Sequence, residues 1–135
     1  MNENLLTGSC YCGYIKYRVT GIFKTQCFCH CRSCQLASGS PYVAWGTIDR
    51  TQFEITQGTL KDITTSAGVH RGFCEQCGTS LTYHQEKYPD TIDICLATVD
   101  DPGLVRPTCH IWISDKLPWV SIDDGLPQYP EWRSG

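Results

Sequence analysis

The chain has 135 residues, of which 41% are hydrophobic and 19% charged, with a formal net charge of −3. That length favours one domain with a buried core, and the charge balance gives no bulk attraction for nucleic acid or an anionic membrane. No stretch approaches the roughly 20 apolar residues of a membrane helix.

The opening MNENLLTGSC lacks the basic start and apolar run of a secretory signal. A reducing, cytoplasmic setting is therefore expected. Ten cysteines are far above ordinary usage. In a secreted chain they would suggest a disulfide framework, whereas in a reducing compartment clustered cysteines more often bind metal.

In chain order, GSCYCG comes first, with Cys10 and Cys12 followed by Gly13. YIKYRV then alternates, placing Ile15, Tyr17 and Val19 on one face of a strand. QCFCHCRSCQ holds four cysteines in ten positions, and residues 31–37, which begin inside it, suit a helical turn ended by Ser38-Gly39. Residues 41–48 and 52–56 read as strands with a turn at DRTQ between them. GFCEQCGTS supplies Cys74 and Cys77, again followed by glycine, Gly78. Residues 80–84 form a strand with Leu81 and Tyr83 on one face. Residues 91–99 form another, with Ile92, Ile94 and Leu96 opposite Asp93, Cys95 and Ala97. Residues 110–114 read as a further strand, and the Pro- and Gly-rich tail, 123–135, as an ordered loop. The sum is a mainly β chain of short antiparallel sheets and hairpins with little helix, folded as one domain over residues 5–132.

Cys10, Cys12, Cys74 and Cys77 have the pattern of two zinc knuckles. A chain turning tightly around a metal needs positive φ, which glycine accepts, and its backbone N–H groups can then point at the thiolates. Together the knuckles make a Cys₄ set able to close a tetrahedral structural zinc site. A disulfide within Cys10-x-Cys12 would close a strained ring.

Cys29, Cys31 and Cys34 form a second set. Residues two apart on an extended chain share a side, and a helical turn brings Cys34 round to them. Cys27 to Cys31 spans roughly 13 Å when extended, against a reach of roughly 10 Å for two cysteines on one zinc. Cys27 joins only if the segment bends sharply. Three ligands with an open fourth position is the catalytic zinc pattern. Closure by Cys27 or His30 would make the site structural, and metal-free redox thiols are a further alternative. His110, beside Cys109, is another conceivable ligand, although hydrogen bonding within the fold is the simpler role. Cys95 and Cys109 read as small core residues. Arg32, Ser38 and Arg71 lie near the cysteine motifs and could meet substrate carboxylates, against the simpler reading of ordinary surface residues. Trp45, Trp112 and Trp119 read as core, with an exposed partner-binding patch as the alternative.

Cys10-x-Cys12, Cys29-His30-Cys31-x-x-Cys34 and Cys74-x-x-Cys77-Gly78, in this order, resemble the glutathione-dependent formaldehyde-activating family, which includes centromere protein V. SGSPYVAW, GVHRGFCEQCGTSLTY, HIWISDKLPW and DGLPQYP agree. The resemblance covers roughly residues 5–132, with Cys27 an addition to the usual pattern. It implies a β-tent fold and two zinc ions, a structural one on Cys10, Cys12, Cys74 and Cys77 and a second on Cys29, Cys31 and Cys34. It further implies an S-(hydroxymethyl)glutathione synthase, a carbon–sulfur lyase acting on a small thiol such as glutathione and a small aldehyde. The alternative is a non-catalytic zinc module, serving as thiol carrier or protein-interaction domain.

Overall fold

The structure, a computed structural model, describes residues 5–132. Its elements run β1 (Leu5–Ser9), β2 (Lys16–Thr20), β3 (Thr25–Cys29), α1 (Arg32–Ser38), β4 (Val43–Asp49), β5 (Phe53–Gln57), β6 (Lys61–Ser66), β7 (Val69–Phe73), β8 (Ser80–Gln85), β9 (Thr91–Cys95) and β10 (Cys109–Ile111). The chain is mainly β. Among the described residues no helix is long and apolar enough to cross a membrane.

Two sheets form. The smaller has the order β1-β2-β5 and the larger β10-β3-β4-β9-β8-β7-β6. All pairs are antiparallel except β10 with β3, which is parallel. That departs from the wholly antiparallel arrangement expected, because the long segment from β9 to β10 brings the chain back alongside β3.

The alternation in β2 buries Tyr17 and Val19 and exposes Lys16 and Arg18. With Ile15 they join Leu6, Ile48, Leu81, Ile92, Ile94 and Leu96 in the main core. A second cluster contains Cys27, Cys29, Cys34, Val43, Trp45, Cys109 and Ile111. The period of two along β4 and β9 divides these clusters between the faces of the large sheet: Ile48, Ile92 and Ile94 join the first, Val43 and Trp45 the second.

Three strand readings are corrected. Leu81 and Tyr83 do not share surroundings, since Leu81 packs in the first cluster and Tyr83 against the second. A bulge causes this: Gly72 pairs with Thr82 and Phe73 with Ser80, so Leu81 is the extra residue. The strand expected over 91–99 ends at Cys95, where the Thr98 hydroxyl donates to the Cys95 carbonyl at 2.8 Å and a 3₁₀ turn takes over. Leu96 stays buried with Ile92 and Ile94. The strand expected over 110–114 ends at Ile111. Trp112 adopts φ 58°, and the N–H groups of Trp112, Ile113 and Ser114 donate to carbonyls of Glu131, Tyr129 and Pro130. The tail is thereby ordered up to residue 132; residues 133–135 lie outside the described residues.

Candidate metal centres

The Sγ atoms of Cys10, Cys12, Cys74 and Cys77 lie within 4.8 Å of one another. Cys10 and Cys12 sulfurs are 3.6 Å apart, and Cys12 and Cys74 sulfurs 3.8 Å. A tetrahedron of thiolates at about 2.3 Å from zinc has edges of about 3.8 Å, so the donor set fits that metal. Gly13 and Gly78 take φ 82° and 85°, the left-handed turn that lets each knuckle fold back. The Gly13 N–H donates to the Cys10 carbonyl at 3.2 Å, and the Gly78 N–H to that of Cys74 at 2.7 Å. Cys10 and Cys74 are buried in the main core, while Cys12 is exposed.

Local donors tune these thiols unequally. The Thr79 hydroxyl, 3.2 Å away, lowers Cys77 to about 5. Burial raises Cys10, but the Ile15 N–H at 3.3 Å and the Cys12 thiol outweigh it and bring its pKa below the usual value.

The second cluster is Cys29, Cys31 and Cys34, also within 4.8 Å of one another. β3 ends at Cys29, and α1 carries Cys34. Cys31 is the N-cap of α1, its sulfur accepting from the Cys34 N–H at 3.3 Å. The helix ends at Gly39 in the left-handed region. Cys34 and Cys29 sulfurs are 3.7 Å apart, again the spacing of a tetrahedral edge. Hydrogen bonds from the Cys29 and Cys31 thiols lower Cys34 to about 2, assisted by the Trp45 side chain and the Arg71 charge. Hydrogen bonds with Cys31 and Cys34 push Cys29 up. Three sulfur donors at this spacing suit a soft or borderline cation such as zinc.

The remaining candidates lie apart from this cluster. Cys27 Sγ is 2.9 Å from Cys109 Sγ in the buried layer between β3 and β10. His30, although sandwiched between two of the cysteines in sequence, turns its Nε2 to His110 Nδ1 at 2.9 Å. His110 Nε2 donates to the Asp124 carboxylate at 2.7 Å, so both of its nitrogens are engaged. Burial lowers His30 to about 4. The segment is anchored further by Gln35, whose Nε2 donates to the carbonyls of His30 and Asp115 at 2.7 and 3.0 Å. The Asp115 carboxylate accepts from the Arg32 N–H at 3.0 Å.

The three cysteines open onto a cavity of about 680 Å³. One row of register partners crosses its floor: Arg71, Tyr83, Asp93, Thr47 and Thr25 on β7, β8, β9, β4 and β3. Arg71 is buried, its guanidinium 4.8 Å above the Tyr83 ring, rather than an ordinary surface residue. Among the described residues it forms no ion pair. Asp93 accepts from the Thr47 hydroxyl at 2.6 Å, and burial raises it to about 6. Burial also raises Tyr83 to about 12. Arg32, Trp45, Trp112 and Trp132 complete the wall. Trp119 is exposed outside the cavity, so the three tryptophans singled out by sequence form no common patch. Ser38 instead donates to the Cys34 carbonyl at 2.7 Å. Asp93 and Tyr83 escaped notice as site residues. The signal was there for Asp93, a carboxylate placed opposite Ile92 and Ile94 in an alternating strand.

A mainly β chain with two preformed thiol clusters, one of them opening on a cavity, defines a candidate metalloprotein. The sequence profile of the glutathione-dependent formaldehyde-activating enzyme family matches residues 5–115, and the chain belongs to that family. A Halomonas elongata protein whose name carries a glutathione-dependent formaldehyde-activating assignment is 26% identical over 131 residues, 88% of this chain and 82% of the relative. A crystal structure of a Rhodobacter sphaeroides protein, 17% identical, covers 91% of this chain and 98% of its own with a TM-score of 0.59, a likeness of fold.

Proposed function

We propose that the protein is a cytoplasmic, zinc-dependent carbon–sulfur lyase of the S-(hydroxymethyl)glutathione synthase type. The observation that carries this reading is the three-thiol cluster opening on a cavity whose floor holds the buried Arg71 guanidinium. Cys10, Cys12, Cys74 and Cys77 hold a structural zinc, and Cys29, Cys31 and Cys34 a second. A zinc ion held by these three thiolates would supply the chemistry that keeps a substrate thiol nucleophilic as its thiolate. The cavity volume is within the range of small-molecule sites.

In the reaction the thiol sulfur adds to formaldehyde carbon. A C–S bond forms, the C=O π bond breaks, and the proton lost by sulfur ends on the new hydroxyl. Arg71 and Arg32 bind the carboxylates of a glutathione-like thiol. Asp93 is the group placed to hold the proton, because burial and Thr47 keep its pKa near the working range. Trp45 and Trp112 exclude water. The partners are a small thiol and a small aldehyde, with no nucleic acid or membrane required.

Cobalt placed at the second cluster tests this reading. Glutathione should change the sulfur-to-metal absorption, and condensation with formaldehyde should run faster than with a Cys31→Ser control. Binding without acceleration would reduce the protein to a thiol carrier. No spectral response to any small thiol would remove the thiol mechanism and leave a non-catalytic zinc module.

A further inference from the structure

Beyond the cysteines, the outer end of the large sheet gathers another set of metal-binding side chains. His70 on β7 and His84 on β8 are register partners, so they share a face. Strand alternation makes this the face opposite Arg71 and Tyr83, and therefore opposite the cavity. Asp62 on β6 shares it, two residues from Thr64, the register partner of His70. Ligand-capable atoms of Asp62, His70 and His84 lie within 4.8 Å of one another. Glu86 completes the group, its Oε2 2.7 Å from His70 Nε2, while Asp62 Oδ2 is 2.9 Å from His70 Nδ1. His84 Nδ1 is buried and has no hydrogen-bond partner.

We propose that Asp62, His70, His84 and Glu86 form a binding site for a borderline divalent transition-metal ion of the Zn2+, Ni2+ or Cu2+ class. Imidazole nitrogens select those metals, and carboxylates supply the charge that neutralises them. His70 sits between two carboxylates, with Asp62 at its Nδ1 and Glu86 at its Nε2. A divalent ion drawn to these carboxylates gives His84 Nδ1 the partner it lacks. The two rings stack 4.7 Å apart and 6° from parallel, so one of them turns about its side-chain bonds to face a shared ion. Both carboxylates are exposed and free to follow. The ion joins β6, β7 and β8. Thr65, Ser66 and Val69, at the β6–β7 connection, line the cavity on the other face. Metal on the outside therefore stiffens one wall of the cavity from behind.

The test uses the full chain with its cysteine clusters loaded with zinc and excess metal removed. Ni2+ is titrated by calorimetry and followed by 1H–15N NMR. One further Ni2+ per chain should bind, with paramagnetic broadening centred on the amides of Asp62, His70 and His84. His84→Ala and Asp62→Asn should each weaken binding at least about tenfold, by analogy with lost metal-site partners, with zinc content and melting unchanged. Glu86→Gln, at an exposed side chain, gives a third reading should either fail to fold. No Ni2+ uptake beyond the zinc, broadening centred on the cysteines, or affinity unaltered in every folded variant would each overturn the proposal.

Discussion

Replacing Cys74 with serine should unfold the protein. Cys74 is fully buried among Leu6, Ile15, Tyr17 and Val19, and its sulfur is 3.8 Å from that of Cys12. A structural zinc in small modules contributes on the order of 10 kcal/mol of folding free energy. Whole domains are stable by about 5–15 kcal/mol. Losing one of four ligands removes much of the zinc contribution. The serine hydroxyl, left without a partner, costs about 1–3 kcal/mol more. The sum brings the variant to the edge of folding or past it. Cys12→Ser separates the two effects. Its side chain is exposed, so serine adds no buried hydroxyl. If the metal is the cause, Cys12→Ser is nearly as damaging as Cys74→Ser. Circular dichroism melts and zinc analysis on the same samples decide. A Cys74→Ser protein with a sharp native melt and full metal content would refute the reasoning. A stable, zinc-replete Cys12→Ser beside an unfolded Cys74→Ser would assign the damage to core burial alone.

Cys31→Ser should lose about one zinc per chain and keep the native circular dichroism spectrum; collapse of the fold would make the second cluster structural too. Cys27→Ser should leave metal content unchanged, because the Cys27 sulfur faces Cys109; loss of one zinc would place Cys27 in the coordination shell. Asp93→Asn should flatten the pH dependence of stability. Burial raises the folded pKa of Asp93 from 3.8 to about 6. The stability this gives is therefore present below pH 3.8 and lost as pH rises through about 6. Roughly two units at about 1.4 kcal/mol each set a ceiling of about 3 kcal/mol, reduced by partial solvent contact. Urea denaturation at pH 5 and pH 7.5 should show the parent losing more stability than the variant; equal losses would remove the ionisation from Asp93.

Local features were legible in the sequence. The alternation of Ile15, Tyr17 and Val19 marks β2, and the helical turn at 31–37 lies within one residue of α1. The cysteine spacing groups the same sulfurs that the fold brings within 4.8 Å. What was not legible is set by pairing over long distances. Period two places Asp93 opposite Ile92 and Ile94, but it cannot say that Tyr83 and Thr47 are its neighbours across two ladders. The bulge at Leu81 reverses a face by one inserted residue. Arg71 looks like a surface residue because nothing local shows that its side chain lies buried over the Tyr83 ring of the next strand. The turn at Trp112 needs positive φ in a bulky aromatic residue, and its N–H is paired with the distant tail.

The two clusters depend on the fold in opposite senses. The first joins segments far apart in the chain, so a metal bound there would tie the fold together. The second takes all its thiols from Cys29 to Cys34, and a metal bound there would close no long loop. Yet that short segment is held by groups that supply no ligand. The His30 N–H donates to the Ile111 carbonyl at 3.0 Å, and the chain of contacts from His30 through His110 reaches Asp124. Gln35 and Asp115 fix the start of α1 from the other side. Contacts with β10 and the tail therefore bring the three thiols together without a metal. That division is why Cys31→Ser serves as a control for chemistry: it removes a ligand and leaves the supporting contacts in place.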